Sequence, residues 1–222
     1  MSSESTLVTA EHFAYVAART RGEDRYLADL KRAAEEAGIP PIWIAPEQAS
    51  FMQILLKASG AREVVEVGTL AGYSAIAMAR ALPEGGRVRT IELDEKHAAF
   101  ATEWAAGSDV AERVEVHRGS GGEVLATFET DSADAAFLDA DKSGYVDYLR
   151  ECRRIVRSGG LILVDNAFAF GQLFDEQPTD REVGAVRSFN DHMARETGLH
   201  GVIVPLGDGL WVSVIEEEHQ AS

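Results

Sequence analysis

Apolar and amphipathic segments alternate regularly along residues 64–164, and this alternation limits the fold more than any other feature of the sequence. The apolar runs have the length of buried strands and lie at residues 64–67, 87–92, 113–117, 133–138 and 160–164. The segments between them have the spacing of helices and lie at residues 73–82, 95–106, 122–128 and 145–156. Such alternation predicts a parallel sheet with right-handed crossovers.

The C-terminal third departs from this pattern. A predicted helix at residues 181–196 precedes two apolar runs, 200–205 and 210–216, and the turn between the runs contains Asp208-Gly209. An Asp-Gly turn is typical of β-hairpins, so an antiparallel strand should close the sheet. We therefore predict an α/β fold with one mostly parallel seven-stranded sheet, a C-terminal antiparallel hairpin, and helices on both faces.

The residues before the alternation are predicted to be helical. Residues 11–37 read as two helices that separate near Gly22, and residues 47–59 read as a third helix that starts after Pro46. We expect the first part of the chain to form a lid or an interface within a single domain. The predicted division is a helical lead-in, a main body and a tail, at residues 1–45, 46–216 and 217–222.

Composition limits the partners and the compartment. The chain has 222 residues and 45% hydrophobic content, which suits one substantial core. A formal net charge of −16 argues against nucleic acid and anionic membranes as partners, since both would repel the chain. The single cysteine, Cys152, excludes an internal disulfide, and no segment has the pattern of an export signal. We expect a cytoplasmic protein with neither a membrane nor a nucleic-acid partner.

Oxygen-bearing side chains follow two of the predicted strands. Asp139 ends the run at 133–138, and Asp165-Asn166 ends the run at 160–164. If these strands are neighbours, the three side chains meet at the carboxyl edge of the sheet, where α/β folds place ligands. Such oxygen ligands suit a hard cation such as Mg²⁺, and Lys142 lies one turn beyond. The alternative is that these residues only form turns and helix caps.

A second set of residues predicts a nucleotide site. Gly68 and Gly72 follow the first strand and permit a tight turn into a helix, although they do not form the G-x-G-x-x-G motif of dinucleotide sites. Glu92, at the end of the second strand, can accept hydrogen bonds from both ribose hydroxyls, and Glu66 can face an ammonium group. Asp94 is expected to cap the next helix. S-adenosylmethionine (SAM) fits these residues, because it has a ribose and an ammonium group and lacks phosphates.

Residues 46–209 resemble the cation-dependent O-methyltransferases related to the catechol and caffeoyl-coenzyme A enzymes. The resemblance rests on motifs in a specific order and spacing: Val65-Glu66-Val67-Gly68-Thr69-Leu70-Ala71-Gly72-Tyr73-Ser74, Thr90-Ile91-Glu92-Leu93-Asp94, Phe137-Leu138-Asp139-Ala140-Asp141-Lys142 with Tyr145 and Tyr148, Gly159-Gly160-Leu161-Ile162-Leu163-Val164-Asp165-Asn166, Phe189-Asn190 and Gly207-Asp208-Gly209. It implies a single-domain, Rossmann-like methyltransferase fold.

The resemblance also implies roles for individual residues. Asp139, Asp165 and Asn166 would bind Mg²⁺ or another divalent cation such as Mn²⁺ or Ca²⁺, and Lys142 beside Asp139 would be the catalytic base. The residues implied at the SAM site are Glu66, Gly68, Thr69, Ser74, Glu92, Ser120, Gly121 and Asp139. The enzyme would be a homodimer.

The implied acceptor is a hydroxyl of a small, catechol-like aromatic molecule. Residues 167–180 should shape its pocket, and we expect at least one of Trp43, Phe168 and Phe170 to contact it, because they flank the predicted site in sequence. Three alternatives are a methyltransferase that acts on a lone hydroxyl of a secondary metabolite, a non-catalytic SAM-binding protein, and a nicotinamide-dependent oxidoreductase. The missing G-x-G-x-x-G motif argues against the last.

Overall fold

The computed structural model describes residues 8–216 and contains the predicted seven-stranded sheet. Its strands are β1 (Glu63–Val67), β2 (Arg87–Glu92), β3 (Val114–Arg118), β4 (Ala133–Leu138), β5 (Val156–Val164), β6 (Leu199–Val204) and β7 (Leu210–Ile215). β1 to β5 pair in parallel, and β7 runs antiparallel to β5 and β6. The predicted fold class and the hairpin are confirmed.

The strand order explains where a ligand can bind. The strands lie in the order β3-β2-β1-β4-β5-β7-β6, so the chain moves outward from β1 to β3 and then crosses back to β4. The connections after β1 and β4 therefore lead away from each other, and a crevice opens between them at the carboxyl edge. The predicted metal and nucleotide residues follow or end one of the parallel strands at this edge, except Glu66, which is the last residue but one of β1.

Helices cover both faces of the sheet. Within residues 8–216 they are α1 (Ala10–Ala17), α2 (Arg25–Glu36), α3 (Pro46–Ser59), α4 (Tyr73–Ala79), α5 (Glu95–Ala106), α6 (Gly121–Leu125), α7 (Tyr145–Ile155) and α8 (Val183–Met193). Side chains of β4 alternate between the two layers, because successive residues of a strand point to opposite faces. Phe137 packs with Leu30 and Met52 on one face, and Leu138 packs with Leu149 and Phe189 on the other.

The N-terminal helices differ in how they contact this core. α1 buries none of its residues, whereas α2 buries Leu27, Leu30 and Ala34 in the layer that also contains α3 and α4. The chain between them breaks near Gly22, where the sequence predicts the break. α2 is therefore part of the packed core, and the role of the lead-in as a lid or interface stays a prediction.

β5 is longer than the sequence predicts, because the strand begins at Val156 rather than at residue 160. Val156 pairs with Ala133 and Leu161 pairs with Ala135, so five steps along β5 match two along β4. The additional residues form a bulge in which Gly159 has a φ of 74°, in the left-handed region. Arg157-Ser158-Gly159-Gly160 reads locally as a turn, and only pairing with β4 makes it part of a strand.

The ends of the chain lie outside the described residues. These are residues 1–7 of the predicted lead-in and the predicted tail at 217–222. Among residues 8–216, no helix has both the length and the apolar character required to cross a bilayer.

Candidate active site

A cavity of about 750 Å³ opens at the carboxyl edge of the sheet. Its lining on the β1–β3 side includes Gly68, Ser74 and Glu92, and its lining on the β4–β5 side includes Lys142 and Asn166. The two predicted parts of the site therefore lie in one cavity, as neighbouring parallel strands require.

The turn after β1 brings the backbone close to β4. Gly68 has a φ of 101°, and a Cβ atom at this position would overlap the carbonyl oxygen of Asp139. Leu70 also has a left-handed φ, at 50°, and its N–H donates to Glu92 Oε2 over 2.8 Å. Gly72, with a φ of 87°, then starts α4. The turn thus needs glycine at Gly68 for both conformation and space.

Backbone hydrogen bonds hold Glu92 at the cavity. Its Oε2 accepts from Leu70 N, and its Oε1 accepts from Asp94 N over 2.9 Å. Asp94 in turn accepts from Lys96 N and His97 N at the start of α5, so its predicted role as a helix cap is confirmed. Carboxylate oxygens can accept more than one hydrogen bond, which leaves Glu92 able to bind hydroxyls in the cavity.

Glu66 lies beneath the cavity rather than on its lining. The side chain is completely buried, and its Oε2 accepts from Thr90 Oγ1 over 2.5 Å. Thr69 Oγ1 lies 2.6 Å from Thr90 Oγ1 and continues this buried chain of hydrogen bonds. Burial raises the pKa of Glu66 to about 8, although hydrogen bonds from Ser74 and Thr90 oppose the shift. The carboxyl group is therefore largely neutral at pH 7.

Ser120 and Gly121 lie on the cavity wall where α6 begins. Ser120 Oγ accepts a hydrogen bond from Glu123 N over 3.4 Å, as a helix cap does. A Cβ atom on Gly121 would come within 2.8 Å of both Tyr148 and Val67, so no larger residue fits there without rearrangement. Close packing against Tyr148 and Val67 therefore requires glycine at this position of the wall.

The sheet register brings the proposed metal ligands together. Leu138 pairs with Val164, and Asp165 N donates to Leu138 O over 3.0 Å, so Asp139 and Asp165 follow adjacent strand ends. Burial, and then the negative charge of Asp139, raises the pKa of Asp165 to about 7. Burial also raises the pKa of Asp139, against the opposing effect of Lys142. The raised pKa values mean that the ionised forms of these two neighbouring carboxyls are unfavourable. A bound cation would stabilise the ionised forms.

The donor atoms fit a hard divalent ion. Two carboxylates and the carboxamide of Asn166 supply oxygen only, which suits Mg²⁺, Mn²⁺ or Ca²⁺ better than zinc. Among the described residues, no cluster of three His, Cys, Asp or Glu side chains has the geometry of a metal site. The third ligand would thus have to be the carboxamide.

Lys142 is held by two partners, half-buried Asp139 and buried Tyr145. Only 6% of its surface is exposed, and its Nζ donates to Asp139 Oδ1 over 3.1 Å and to Tyr145 Oη over 2.7 Å. The Tyr145 hydroxyl lies 3.5 Å from the carbonyl oxygen of Asp165. Lys142 therefore lies between the two strand ends that carry the carboxylates.

The sequence did not predict a role at this site for two polar residues, Gln48 and Asp208. Gln48, on α3, is 1% exposed and donates from Nε2 to Asp165 Oδ1 over 2.8 Å. Asp208, in the β6–β7 turn, accepts from Asn166 Nδ2 over 3.2 Å. Nothing local to Gln48 indicates its role. Asp208 belongs to the Gly207-Asp208-Gly209 motif, which we interpreted as a hairpin turn and as part of the family resemblance, without a role at the site.

The aromatic residues that flank the site in sequence occupy different positions. Trp43 and Phe170 line the cavity, and the Phe170 ring centroid is 5.9 Å from Lys142 Nζ. Phe168 instead packs against Gly209, whose added Cβ would lie 2.8 Å from its ring. Trp43 and Phe170 are thus the members of the predicted set that an acceptor in the cavity could reach.

Comparison with known proteins identifies the family. The family model described as O-methyltransferase matches residues 16–214. The chain belongs to this family. A catechol O-methyltransferase from Niastella koreensis is 35% identical over 202 residues, which cover 87% of this chain and 91% of the relative.

Two solved structures are similar throughout the fold. The O-methyltransferase from Bacillus cereus in complex with SAH is 31% identical with a TM-score of 0.82, covering 92% of this chain and 96% of that chain. TomG from Streptomyces achromogenes, in complex with SAM, is 28% identical with a TM-score of 0.82, covering 93% and 96%. The protein is thus a SAM-dependent O-methyltransferase, and the oxidoreductase and non-catalytic alternatives are set aside.

Proposed function

We propose that the enzyme transfers the methyl group of SAM to one hydroxyl of a small catechol-like acceptor, with a divalent cation held by Asp139, Asp165 and Asn166. The observation that supports this most directly is that these oxygen donors follow the ends of two adjacent strands, with Asp139, Asn166 and buried Lys142 on the lining of one cavity. Mg²⁺ fits the donor set, and Mn²⁺ or Ca²⁺ could replace it.

The bound cation would supply positive charge that stabilises the reacting oxygen as an anion. Lys142 Nζ would accept the proton of that hydroxyl, because Lys142 lines the cavity and this nitrogen lies 3.1 Å from Asp139 Oδ1. Tyr145 and Asp139 limit the positions that the nitrogen can adopt. The walls would exclude water and hold the acceptor oxygen in line with the methyl group, and such positioning is a major source of rate.

The β1–β3 side of the cavity would hold SAM. Glu92 would accept hydrogen bonds from the ribose hydroxyls, Gly68 would allow close approach of the methionine part, and Ser120-Gly121 would contact the adenine. Glu66 would support this side of the cavity through its hydrogen bonds with Thr90 and Ser74, because its own side chain is buried below the lining. Thr69 would contribute its backbone at the lining while its hydroxyl remains in the buried chain.

Transfer to a lone hydroxyl is the second candidate. Lys142 lies on the cavity lining and could act as a base on an acceptor with only one oxygen at the site. Trp43 and Phe170 could contact either kind of aromatic ring. The two candidates differ in whether the second oxygen and the cation are needed.

Transfer of labelled methyl from SAM should be measured with a catechol and with the matching single phenol, with Mg²⁺ and after thorough chelation. We expect transfer to the catechol only with the metal, and at least tenfold less transfer to the phenol. Lys142→Met should lower the rate by about 10² or more, as removal of a general base does. Lys57→Met, at an exposed position on α3, is the matched control. Transfer that persists without metal, or equal transfer to the phenol, would exclude the chelated-catechol reaction.

The proposed setting of the enzyme is a cytoplasmic homodimer with neither nucleic acid nor a membrane as partner. The net charge of −16 supports the lack of anionic partners. Exposed Tyr15 on α1 and Val202 and Val214 on the hairpin offer apolar surface for a second copy. Sedimentation equilibrium tests the dimer, and a monomer at micromolar concentration would contradict it.

A further inference from the structure

The turn between β6 and β7 contacts two residues that line the cavity, Asn166 and Phe170. Both carboxylate oxygens of Asp208 accept hydrogen bonds from the segment that follows β5. Oδ2 accepts from Phe170 N over 2.7 Å and from Asn166 Nδ2 over 3.2 Å, and Oδ1 accepts from Gly171 N over 3.1 Å. One half-buried side chain thus contacts a proposed metal ligand and the backbone of Phe170 and Gly171, which we call the acceptor wall.

The contact with Asn166 determines which end of its carboxamide faces the cavity. The carboxamide has one accepting oxygen and one donating NH₂ group, whereas an ionised carboxylate can only accept. Donation to Asp208 therefore uses the NH₂ group of Asn166 and leaves Oδ1 for another partner. The reverse orientation would place two oxygens together and turn the NH₂ group toward a cation.

The hydrogen bonds between Asp208 and the acceptor wall offset an unfavourable backbone conformation. Ala169 and Phe170 have φ angles of 54° and 59°, and Gly171 follows at 75°, so three consecutive residues are left-handed. This conformation is unfavourable for a residue that has a side chain. It also turns two successive N–H groups toward one acceptor, and the Asp208 carboxylate binds both.

The rest of the turn is packed tightly enough to fix Asp208. An added Cβ on Gly207 would overlap Gln48, and one on Gly209 would meet the Phe168 ring. Phe168 N also donates to Asp208 O over 2.8 Å. The carboxylate is thus attached to a turn that cannot shift without moving its neighbours.

We propose that Asp208 is a positioning residue for methyl transfer: it aims the carboxamide oxygen of Asn166 at the cation and holds the Phe170 segment against the acceptor. This inference rests on the metal site of the proposed function. Partners of this kind around metal ligands change metal affinity by about 10–100-fold when removed.

The test measures Mn²⁺ affinity by the electron paramagnetic resonance signal of free Mn²⁺ in the presence of SAM. Asp208→Asn should weaken Mn²⁺ binding about tenfold or more. SAM affinity, measured by calorimetry, should stay within twofold, because the cofactor residues lie on the other side of the cavity. Asp175→Asn is the matched control, because it removes the same charge at an exposed position of the β5–α8 segment, which Asp208 contacts, without reaching Asn166.

A double-mutant cycle separates positioning from simple charge removal. In an Asn166→Ala background, Asp208→Asn should change Mn²⁺ affinity by less than twofold, because the carboxamide is already gone. An equal loss in both backgrounds, or an equal loss in Asp175→Asn, would overturn the proposal. If Asp208→Asn does not fold, Asp208→Glu replaces it, and wild-type Mn²⁺ affinity in that folded variant would also overturn the proposal. Absence of Mn²⁺ binding by the wild-type enzyme would instead contradict the metal site itself.

Discussion

Lys142 and Tyr145 are buried together at the end of β4, with Lys142 Nζ donating to Tyr145 Oη over 2.7 Å. They are three residues apart: Lys142 begins the short turn that leads into α7, and Tyr145 is the first residue of that helix. Burial raises the pKa of Tyr145 well above its ordinary value, so the hydroxyl stays protonated and accepts from the lysine. The proposed base is therefore oriented by a neutral group that the sequence places beside it.

Tyr145→Phe should lower kcat about 10-fold or more while leaving the KM for SAM within twofold. The reason is that Lys142 loses its buried partner, and a misplaced proton acceptor lowers the rate of transfer rather than cofactor binding. The stability loss should be about 1 kcal/mol, as for one hydrogen bond.

Steady-state kinetics and thermal unfolding check this prediction. Tyr26→Phe is the matched control, because it removes a half-buried phenol that donates to Trp104 O, away from the cavity. Unchanged kcat in Tyr145→Phe would show that Asp139 alone positions the lysine.

Glu66→Gln should make the SAM-free enzyme less sensitive to alkaline pH. The folded pKa of Glu66, about 8, lies above its unfolded value of about 4.3, so folding takes up a proton between these values. The stability that the neutral carboxyl provides is therefore lost as pH rises through about 8. Glutamine resembles the neutral form and has no charge to lose.

The measurement is Tm against pH for both proteins from pH 6 to pH 9. Wild type should lose about 5 °C more than Glu66→Gln, given the usual relation between free energy and Tm. Asp165 is present in both proteins, so its own titration cancels in the comparison. Parallel curves would mean that Glu66 remains ionised in the fold.

Gly68→Ala should reduce SAM affinity by at least tenfold, because the new methyl group would overlap the Asp139 carbonyl and strain a φ of 101°. The turn must then move away from β4 at the point where the cofactor approaches. Gly184→Ala, at an open position in α8, is the control and should leave the affinity unchanged. Calorimetric titration with SAM gives both constants. Normal SAM binding by Gly68→Ala would place the cofactor elsewhere in the cavity.

The sequence indicated the parallel sheet, the hairpin and the strand ends that carry Asp139, Asp165 and Glu92, because these features depend on local periodicity and on one topological rule. It misplaced the start of β5, since the Gly159-Gly160 bulge resembles a turn until β4 pairs with it. It also placed Glu66 at the cofactor, which stays a prediction, and only the structure showed that this side chain is buried beneath the cavity lining.

By itself, the sequence determined which residues end each parallel strand and therefore the chemistry available at one edge of the sheet. Only the tertiary structure decided which distant side chains orient those residues. Gln48 reaches Asp165 across 117 positions of the chain, and Asp208 reaches Asn166 across 42. Such contacts depend on how a helix and a hairpin turn pack against the sheet, and the pattern of neighbouring residues carries no record of that packing.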